Sequence, residues 1–334
     1  MSGQPKVKKI RSMKVVLYPP TKDHWLRQLV ADFPQLHWSV ALSADDAGRE
    51  VRDADLMVLT NRACSRELGE ALRRNAGPGL KWMHFTTAGV DGGIAMGVPD
   101  GVTVTNAAGV KAAMVSEHAL ALLLALLRRL PDIAAGQRVR KWRRDVISDK
   151  MRTLEGATVC IVGLGAIGRE VARKVKAFDA KPIAVSRAAS SAGAVDTVYP
   201  RERLGEALAS SDVVVICTNA DDSTRHMIGA GELAAMKPGA VIVNVARGTL
   251  IDEPALIDAL RRGVLGGAAL DVQAIEPLPE DSPLWSLPNV IVSPHSAGSG
   301  STGYVQHRAL FAQNLERYRT GKPLLNQCRI PAQA

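Results

Sequence analysis

Cysteine, aromatic side chains and long apolar runs are all scarce in this chain. Its four cysteines, Cys64, Cys160, Cys217 and Cys328, form no C-x-x-C pair and have no zinc-ligand spacing. A disulfide scaffold is thereby excluded and no metal site is expected. Aromatics make up 4% of the residues, too few for an obvious base-stacking platform. No apolar run reaches the ~20 residues needed to cross a bilayer. The closest, Ala119–Leu127, lies between Glu117-His118 and Arg128-Arg129 and reads as a buried helix. Met1–Arg11 is basic and polar, without the apolar stretch of a secretory signal, so a reduced, cytoplasmic protein is expected.

The rest is ordinary globular composition, 46% hydrophobic and 22% charged. With 334 residues, the chain exceeds the ~250–300 at which a single core stops growing, so two domains are expected. A formal net charge of +9 raises nucleic acid, an anionic membrane surface and anionic small molecules as partners. Basic residues are dispersed except in Lys6–Arg11 and Arg138–Arg144, and a solvated face accounts for each run. Neither nucleic acid nor membrane is an expected partner.

Short β-branched runs alternate with helical stretches throughout, the pattern of a parallel α/β sheet. Early strands are expected at Lys14–Tyr18, Leu56–Thr60, Lys81–Thr86 and Val102–Thr105, with helices around Asp23–Phe33 and Ser65–Arg74. A long helix over Val110–Leu130, ended by Pro131, has the length to bridge two domains. A second, more apolar strand series follows at Thr158–Val162, Pro182–Ser186, Val213–Thr218, Ala240–Val245, Gly267–Val272 and Val290–Ser293. A final helix over Thr302–Arg319 is expected to return to the first domain.

Gly163-Leu164-Gly165-Ala166-Ile167-Gly168 joins the strand Thr158–Val162 to a helix over Arg169–Phe178. In that context Gly163 permits the tight turn, Gly165 lets backbone approach a pyrophosphate, and Gly168 allows close helix–strand packing. The helix start supplies free N–H groups to the anion. After the next strand an NAD site usually places Asp or Glu against the ribose hydroxyls. Here Ser186 and Arg187 stand instead, followed by Ser190 and Ser191. A hydroxyl and a guanidinium suit a 2′-phosphate, which points to NADP as the preferred cofactor over NAD; a solvated loop arginine is the alternative.

Arg247, Glu276 and His295 each follow a later strand, and in an open doubly wound sheet those strand ends converge on one ligand crevice. A guanidinium can bind a carboxylate and polarise a carbonyl. An imidazole can give and take a proton, and a carboxylate on its other nitrogen orients the ring. Taken singly, each has a structural explanation; together they fit hydride transfer to a 2-keto acid.

The chain resembles the D-isomer-specific 2-hydroxyacid dehydrogenases from about Met13 to the last helix. The resemblance rests on Thr87-Ala88-Gly89-Val90-Asp91, Thr105-Asn106-Ala107, Val115-Ser116-Glu117-His118, the glycine loop, Val243–Asp252, Ala268–Pro277 and Asn289–His295. It implies that Arg247, Glu276 and His295 are catalytic and that Asp271 binds the nicotinamide carboxamide. Ala88, Gly89 and Val90 would receive the substrate carboxylate, with Arg247 and His295 also on the substrate. Gly163, Gly165, Ala166, Ile167, Gly168, Ser186, Arg187, Thr218 and Ala246 complete the expected cofactor contacts. The implied fold is a Rossmann doubly wound nucleotide domain, residues 109–298. A flavodoxin-like α/β substrate domain is implied for residues 11–108 and 299–330. A closing cleft and a homodimer formed through the nucleotide domain are implied as well.

Departures refine this expectation. Cys217-Thr218-Asn219 replaces a proline-containing loop common in relatives, and Ile275 stands where a polar residue is common. Glu276 argues against formate dehydrogenases, which carry glutamine there, and the Thr86–Gly89 segment lacks the lysine of phosphite dehydrogenases. Ser186-Arg187 resembles the NADP-using glyoxylate/hydroxypyruvate reductases. The expected activity is therefore NADPH-dependent reduction of a small 2-keto acid such as glyoxylate or hydroxypyruvate. The alternatives are NAD-dependent oxidation of a 2-hydroxy acid such as 3-phosphoglycerate, and a dinucleotide-sensing scaffold without turnover.

Overall fold

In the computed structural model, residues 13–18, 24–187, 193, 195–300 and 303–328 are described. Up to Val110 the elements are β1 (Lys14–Tyr18), α1 (His24–Asp32), β2 (His37–Val40), α2 (Ala44–Glu50), β3 (Leu56–Leu59), α3 (Arg66–Asn75), β4 (Trp82–Phe85), α4 (Asp91–Met96) and β5 (Thr103–Thr105). Next come α5 (Ala112–Leu127), α6 (Leu130–Arg138), α7 (Arg144–Ile147), β6 (Thr158–Val162), α8 (Ala166–Lys176), β7 (Lys181–Val185) and β8 (Thr197–Tyr199). They are followed by α9 (Leu204–Ala209), β9 (Val213–Ile216), α10 (Ala230–Ala235), β10 (Val241–Asn244), α11 (Glu253–Arg261), β11 (Gly267–Leu270) and β12 (Val290–Val292). The chain closes with α12 (Gly303–Arg319) and β13 (Gln327–Cys328). The described residues of Met1–Val110 and Ser301–Ala334 form one compact unit, and Lys111–Gly300 forms the other.

The first unit holds a six-stranded sheet in the order β13-β5-β4-β3-β1-β2. It is parallel but for β13, which runs antiparallel to β5. Without β13 this is the flavodoxin-like order. Every residue of β3 and β4 is buried, as expected of parallel strands covered on both faces. Ser65 caps α3 by accepting from the Leu68 N–H at 3.2 Å, which satisfies a donor the helix itself leaves open. Trp82 of β4 stacks on Phe311 and Tyr318 of α12, with ring centroids 5.9 and 5.6 Å apart. Its indole N–H donates to Thr105 Oγ1 at 2.8 Å. The same hydroxyl lies 2.8 Å from His84 Nδ1, and His84 Nε2 lies 3.4 Å from His307 Nε2.

The second unit holds a seven-stranded, all-parallel sheet in the order β12-β11-β10-β9-β6-β7-β8. Counted from β6, this is the Rossmann order with one strand added beyond the sixth. Alternation along β6 divides two cores. Val159 and Ile161 join Val115, Ala119, Leu122, Leu123, Leu126 and Leu127 of α5 on one face. Cys160 and Val162 join residues of α9, α10 and α11 on the other. With both faces apolar, the strands lack the polar alternation of a half-exposed sheet.

The long helix is shorter than its sequence pattern predicts. It ends at Leu127, Arg129 adopts a left-handed backbone (φ 56°), and Pro131 lies in the first turn of α6 instead of terminating α5. Proline costs nothing there, because a first-turn N–H has no partner within the helix. With 16 residues, α5 spans about 24 Å, and its apolar stripe packs on the sheet of its own unit. The short edge strands β2, β8 and β13 are additional to the predicted elements. The segment Arg138–Arg144 is exposed throughout, whereas Lys6–Arg11 lies outside the described residues.

Burial, and then the neighbouring His307, hold the His84 imidazole well below its ordinary value of ~6.5. Below that value the unfolded chain takes up a proton that the folded chain refuses. Stability therefore falls with falling pH, by up to about 1.4 kcal/mol per pH unit for this group. The urea midpoint should drop between about pH 7.5 and about pH 5, and His84→Gln should flatten that dependence. An equally steep dependence in the variant would contradict the assignment.

Candidate functional site

The Rossmann strand order reverses between β6 and β9, and a cavity of about 310 Å³ opens there. Gly163, Gly165, Ser186, Arg187 and Thr218 line it. Gly163 has a φ of 103°, and a Cβ there would lie 2.7 Å from Thr218 N and Cα. Glycine is required on both counts. At Gly168 a Cβ would lie 2.0 Å from Gly163 O, so the turn and the α8 start touch backbone to backbone. A Cβ on Gly165 would meet nothing within 4 Å. That open cradle at a helix N-terminus fits a dinucleotide pyrophosphate. Ala166 is exposed at the same helix start, whereas the Ile167 side chain packs against the core, leaving its backbone N–H as its offering.

The Ser186 N–H donates to Tyr199 O at 3.0 Å, and exposed Arg187 follows it on the cavity wall. Ser190 and Ser191 lie outside the described residues. A second guanidinium, which the sequence pattern did not single out, lines the same cavity. Arg201 donates to Ser223 Oγ at 3.0 Å and also bonds Ser223 O. Asp221 is the acidic lining residue; hydrogen bonds from Ser223, and with them Thr224, hold its carboxyl below the ordinary range. Burial pushes the thiols of Cys160 and Cys217 up to about 12, so neither supplies a thiolate at neutral pH.

Strands β10, β11 and β12 end in register, Asn244 opposite Leu270 and Leu270 opposite Val292. Their carboxyl ends carry the remaining candidates. His295 Nδ1 and Glu276 Oε2 are 2.7 Å apart, with each side chain about one-third exposed (34% and 35%). Glu276 Oε1 accepts from the Gln273 N–H at 3.3 Å, and the Gln273 amide donates to Leu270 O and Ser293 O at 3.0 and 3.3 Å. The carboxylate is therefore aimed at the ring by a buried residue that ties two strand ends together. Gln273 and Ser293 escaped the sequence reading; polar residues inside the apolar strand ends were the available signal.

Arg247 starts the turn after β10. Its carbonyl accepts from Asn244 Nδ2 at 2.9 Å, and its Nη1 donates to Ala246 O at 2.7 Å. The Ala246 N–H in turn donates to Asn244 Oδ1 at 3.0 Å. A Cβ on the next residue, Gly248, would fall 1.9 Å from Gln273 C. The arginine turn therefore lies directly on the segment leading to Glu276.

Asp271, expected beside a nicotinamide carboxamide, is 1% exposed and has extensive partners within the chain. Its carbonyl accepts from the His295 N–H at 2.8 Å. Its carboxylate accepts from the Ser296 and Ala297 N–H groups, both at 2.9 Å, and from Ser293 Oγ at 2.6 Å. Three successive N–H groups thus converge on one residue, which His295 permits by adopting a left-handed backbone (φ 51°). These contacts give Asp271 a structural role that sequence reading alone did not assign.

Ala88, Gly89 and Val90 belong to the first unit. Thr87 Oγ1 donates to Gly89 O at 2.8 Å, Asn106 Nδ2 bonds Ala88 O at 2.6 Å, and Asn61 Oδ1 accepts from the Gly92 N–H at 2.8 Å. Side chains therefore fix the loop's carbonyls. Among the described residues, no group of three or more His, Cys, Asp or Glu is placed to hold a metal, and no helix is long and apolar enough to cross a membrane.

Residues 120–297 match the D-isomer specific 2-hydroxyacid dehydrogenase NAD binding domain. A solved D-isomer specific 2-hydroxyacid dehydrogenase family protein from Aeromonas salmonicida is 32% identical, with a TM-score of 0.82 over 96% of this chain and 100% of that one. A D-isomer specific 2-hydroxyacid dehydrogenase from Xanthobacter autotrophicus, solved with NADPH and MES, is 30% identical with a TM-score of 0.81, covering 96% and 98%. D-3-phosphoglycerate dehydrogenase of Archaeoglobus fulgidus is 30% identical over 96% of this chain; the chain spans 60% of that relative's length.

The two glycines of the turn should separate on substitution. Gly165→Ala should cost no more than about 1 kcal/mol of stability, the size of a cap change, yet weaken dinucleotide binding at least ~10-fold in a fluorescence titration. Gly168→Ala should lower the melting temperature itself. Unchanged binding by Gly165→Ala would refute the pyrophosphate cradle.

Proposed function

The chain belongs to the D-isomer specific 2-hydroxyacid dehydrogenases, oxidoreductases acting on the CH–OH group of 2-hydroxy acids, and on that premise we propose that it is an NADPH-dependent reductase of a small 2-keto acid such as glyoxylate or hydroxypyruvate. The observation that carries the reading is the Glu276–His295 pair at 2.7 Å, with the segment leading to Glu276 packed against the turn that bears Arg247.

A nicotinamide dinucleotide held at the glycine turn would supply the hydride when bound. Arg247 binds the substrate carboxylate through its fork of N–H donors and polarises the adjacent carbonyl. With His295 Nδ1 held by Glu276, Nε2 is the nitrogen that delivers a proton to the carbonyl oxygen, and Glu276 keeps the ring oriented for that transfer. Run in reverse, the same nitrogen removes the hydroxyl proton.

NADP preference is supported by Arg187 and Arg201, which line the same cavity as Ser186, a donor set suited to a 2′-phosphate. The Xanthobacter relative's NADPH complex agrees with it. The phosphoglycerate dehydrogenase relatives favour a second reading, NAD-dependent oxidation of 3-phosphoglycerate. NADPH and NADH oxidation across a panel of 2-keto acids, beside 3-phosphoglycerate oxidation, distinguishes them. His295→Ala should lower kcat about 10²–10⁴-fold. Arg187→Ala should weaken NADPH about 10–150-fold, the equivalent of one lost charged hydrogen bond, and spare NADH. No turnover with any 2-keto acid, or an unaltered cofactor preference, would refute the corresponding assignment.

A homodimer through the second unit is part of the same reading. Leu130, Ile133, Val139, Trp142 and Val146 are all exposed along α6, α7 and their connection, Trp142 to 93%. A second copy is the occupant we assign to this apolar surface. Sedimentation velocity should show a dimer at micromolar concentration, and the double variant Trp142→Asp/Val146→Asp should sediment as a folded monomer. A monomeric wild type would contradict it.

A further inference from the structure

We propose that His118 is a positioning residue for His295, acting from α5 through Ser293 and Asp271. The inference rests on the reading of His295 as the proton donor. His118 Nε2 lies 3.0 Å from Ser293 Oγ and 3.3 Å from Asp271 Oδ1. Ser293 donates to that same Oδ1 at 2.6 Å, and its oxygen lies 3.0 Å from Ser296 Oγ. With the Ser293 proton committed to Asp271, its oxygen accepts from the His118 N–H and the Ser296 hydroxyl. One imidazole thus completes a polar cluster whose other members hold residues 293 and 296, on either side of His295.

The chain of consequence is short. The Asp271 carboxylate binds the Ser296 and Ala297 N–H groups, and the Asp271 carbonyl binds the His295 N–H. Together these bonds hold His295 in a left-handed backbone conformation that a β-carbon disfavours. From that conformation its ring meets Glu276. Lys111 completes the surroundings, because a Cβ on Gly298 would lie 3.1 Å from Lys111 Cδ. Without the His118 N–H, the buried Asp271–Ser293 pair loses a donor and can answer by rotating the serine. The loop then relaxes and the His295 ring leaves its fixed orientation. A misplacement of about 1 Å at a proton donor is enough to cost up to 10²-fold in rate.

His118→Ala and His118→Gln in the full chain test this, since the glutamine amide can replace the Nε2–H donor. One readout is the ring ¹⁵N shifts of His295 in NADP(H)-free protein above about pH 8, which report the tautomer. The wild type should show the Nδ1–H tautomer that Glu276 selects, His118→Ala a mixture of both tautomers, and His118→Gln a return toward wild type. The other readout is kinetic. His118→Ala should lower kcat about 10–100-fold while KM for the keto acid and Kd for NADPH stay within about twofold, with most of the loss recovered by His118→Gln. An unchanged tautomer, or a loss shared equally by kcat and cofactor affinity that glutamine does not rescue, overturns the proposal. Should His118→Ala not fold, Ser293→Ala replaces it in both readouts. A wild type that reduces no 2-keto acid overturns the proposed activity, whereas the tautomer comparison still decides the role of His118.

Discussion

The buried carboxylate of Asp271 is the constraint on which the loop carrying His295 depends. It lies one residue beyond β11, is almost fully excluded from water, and gathers donors from the loop after β12. A buried anion is tolerated only when such donors surround it. The loop therefore cannot leave without exposing an unsolvated charge, and the left-handed backbone of His295 is sustained by that penalty. The functional geometry is thus a product of charge solvation by the chain itself.

Around this anchor, contact between backbones does what side chains could not. Gly248 brings the arginine turn onto the Gln273–Ala274 peptide, and Gly168 brings the α8 start onto the glycine turn. At both positions a single methyl group would force the segments apart. Register among β10, β11 and β12 brings their ends to one edge of the sheet, so residues far apart in the chain stand at neighbouring strand ends. Gln273 then converts strand pairing into side-chain orientation by capping Glu276 with its N–H and bridging two strand ends with its amide.

Much of this was legible from residues alone, and the reasons differ by feature. The glycine turn is a local pattern, with strand, spacing and helix all within one segment, so its meaning travels with the sequence. Arg247, Glu276 and His295 were legible as strand-end residues because parallel α/β folds place strand ends together. His118 was visible only as part of a motif, since its partner Ser293 is 175 positions away and long-range contacts leave no periodicity. Arg201 was missed because it follows β8, a three-residue edge strand without a buried residue to mark it. The end of α5 was misplaced because proline serves equally well after a helix and within the first turn of the next. The buried structural contacts of Asp271 were invisible, because a carboxylate bound to a ligand and one bound to its own loop are spelled alike.

The net positive charge has a correspondingly local meaning. Arg187 and Arg201 line the cavity beside the glycine turn, and Arg247 stands at the strand ends, while the Arg138–Arg144 run carries its exposed charges around the apolar Val139 and Trp142. The Asp271 carboxylate is what holds the His295 loop in place. Amide hydrogen exchange at Ser296 and Ala297, compared between the wild type and Asp271→Asn, tests it without cofactor or substrate. Strong protection in the wild type, reduced at least ~10-fold at one or both amides in the variant while strand β6 is unaffected, is the result expected from losing a charged acceptor. Equal exchange rates at both amides in the two proteins would contradict it.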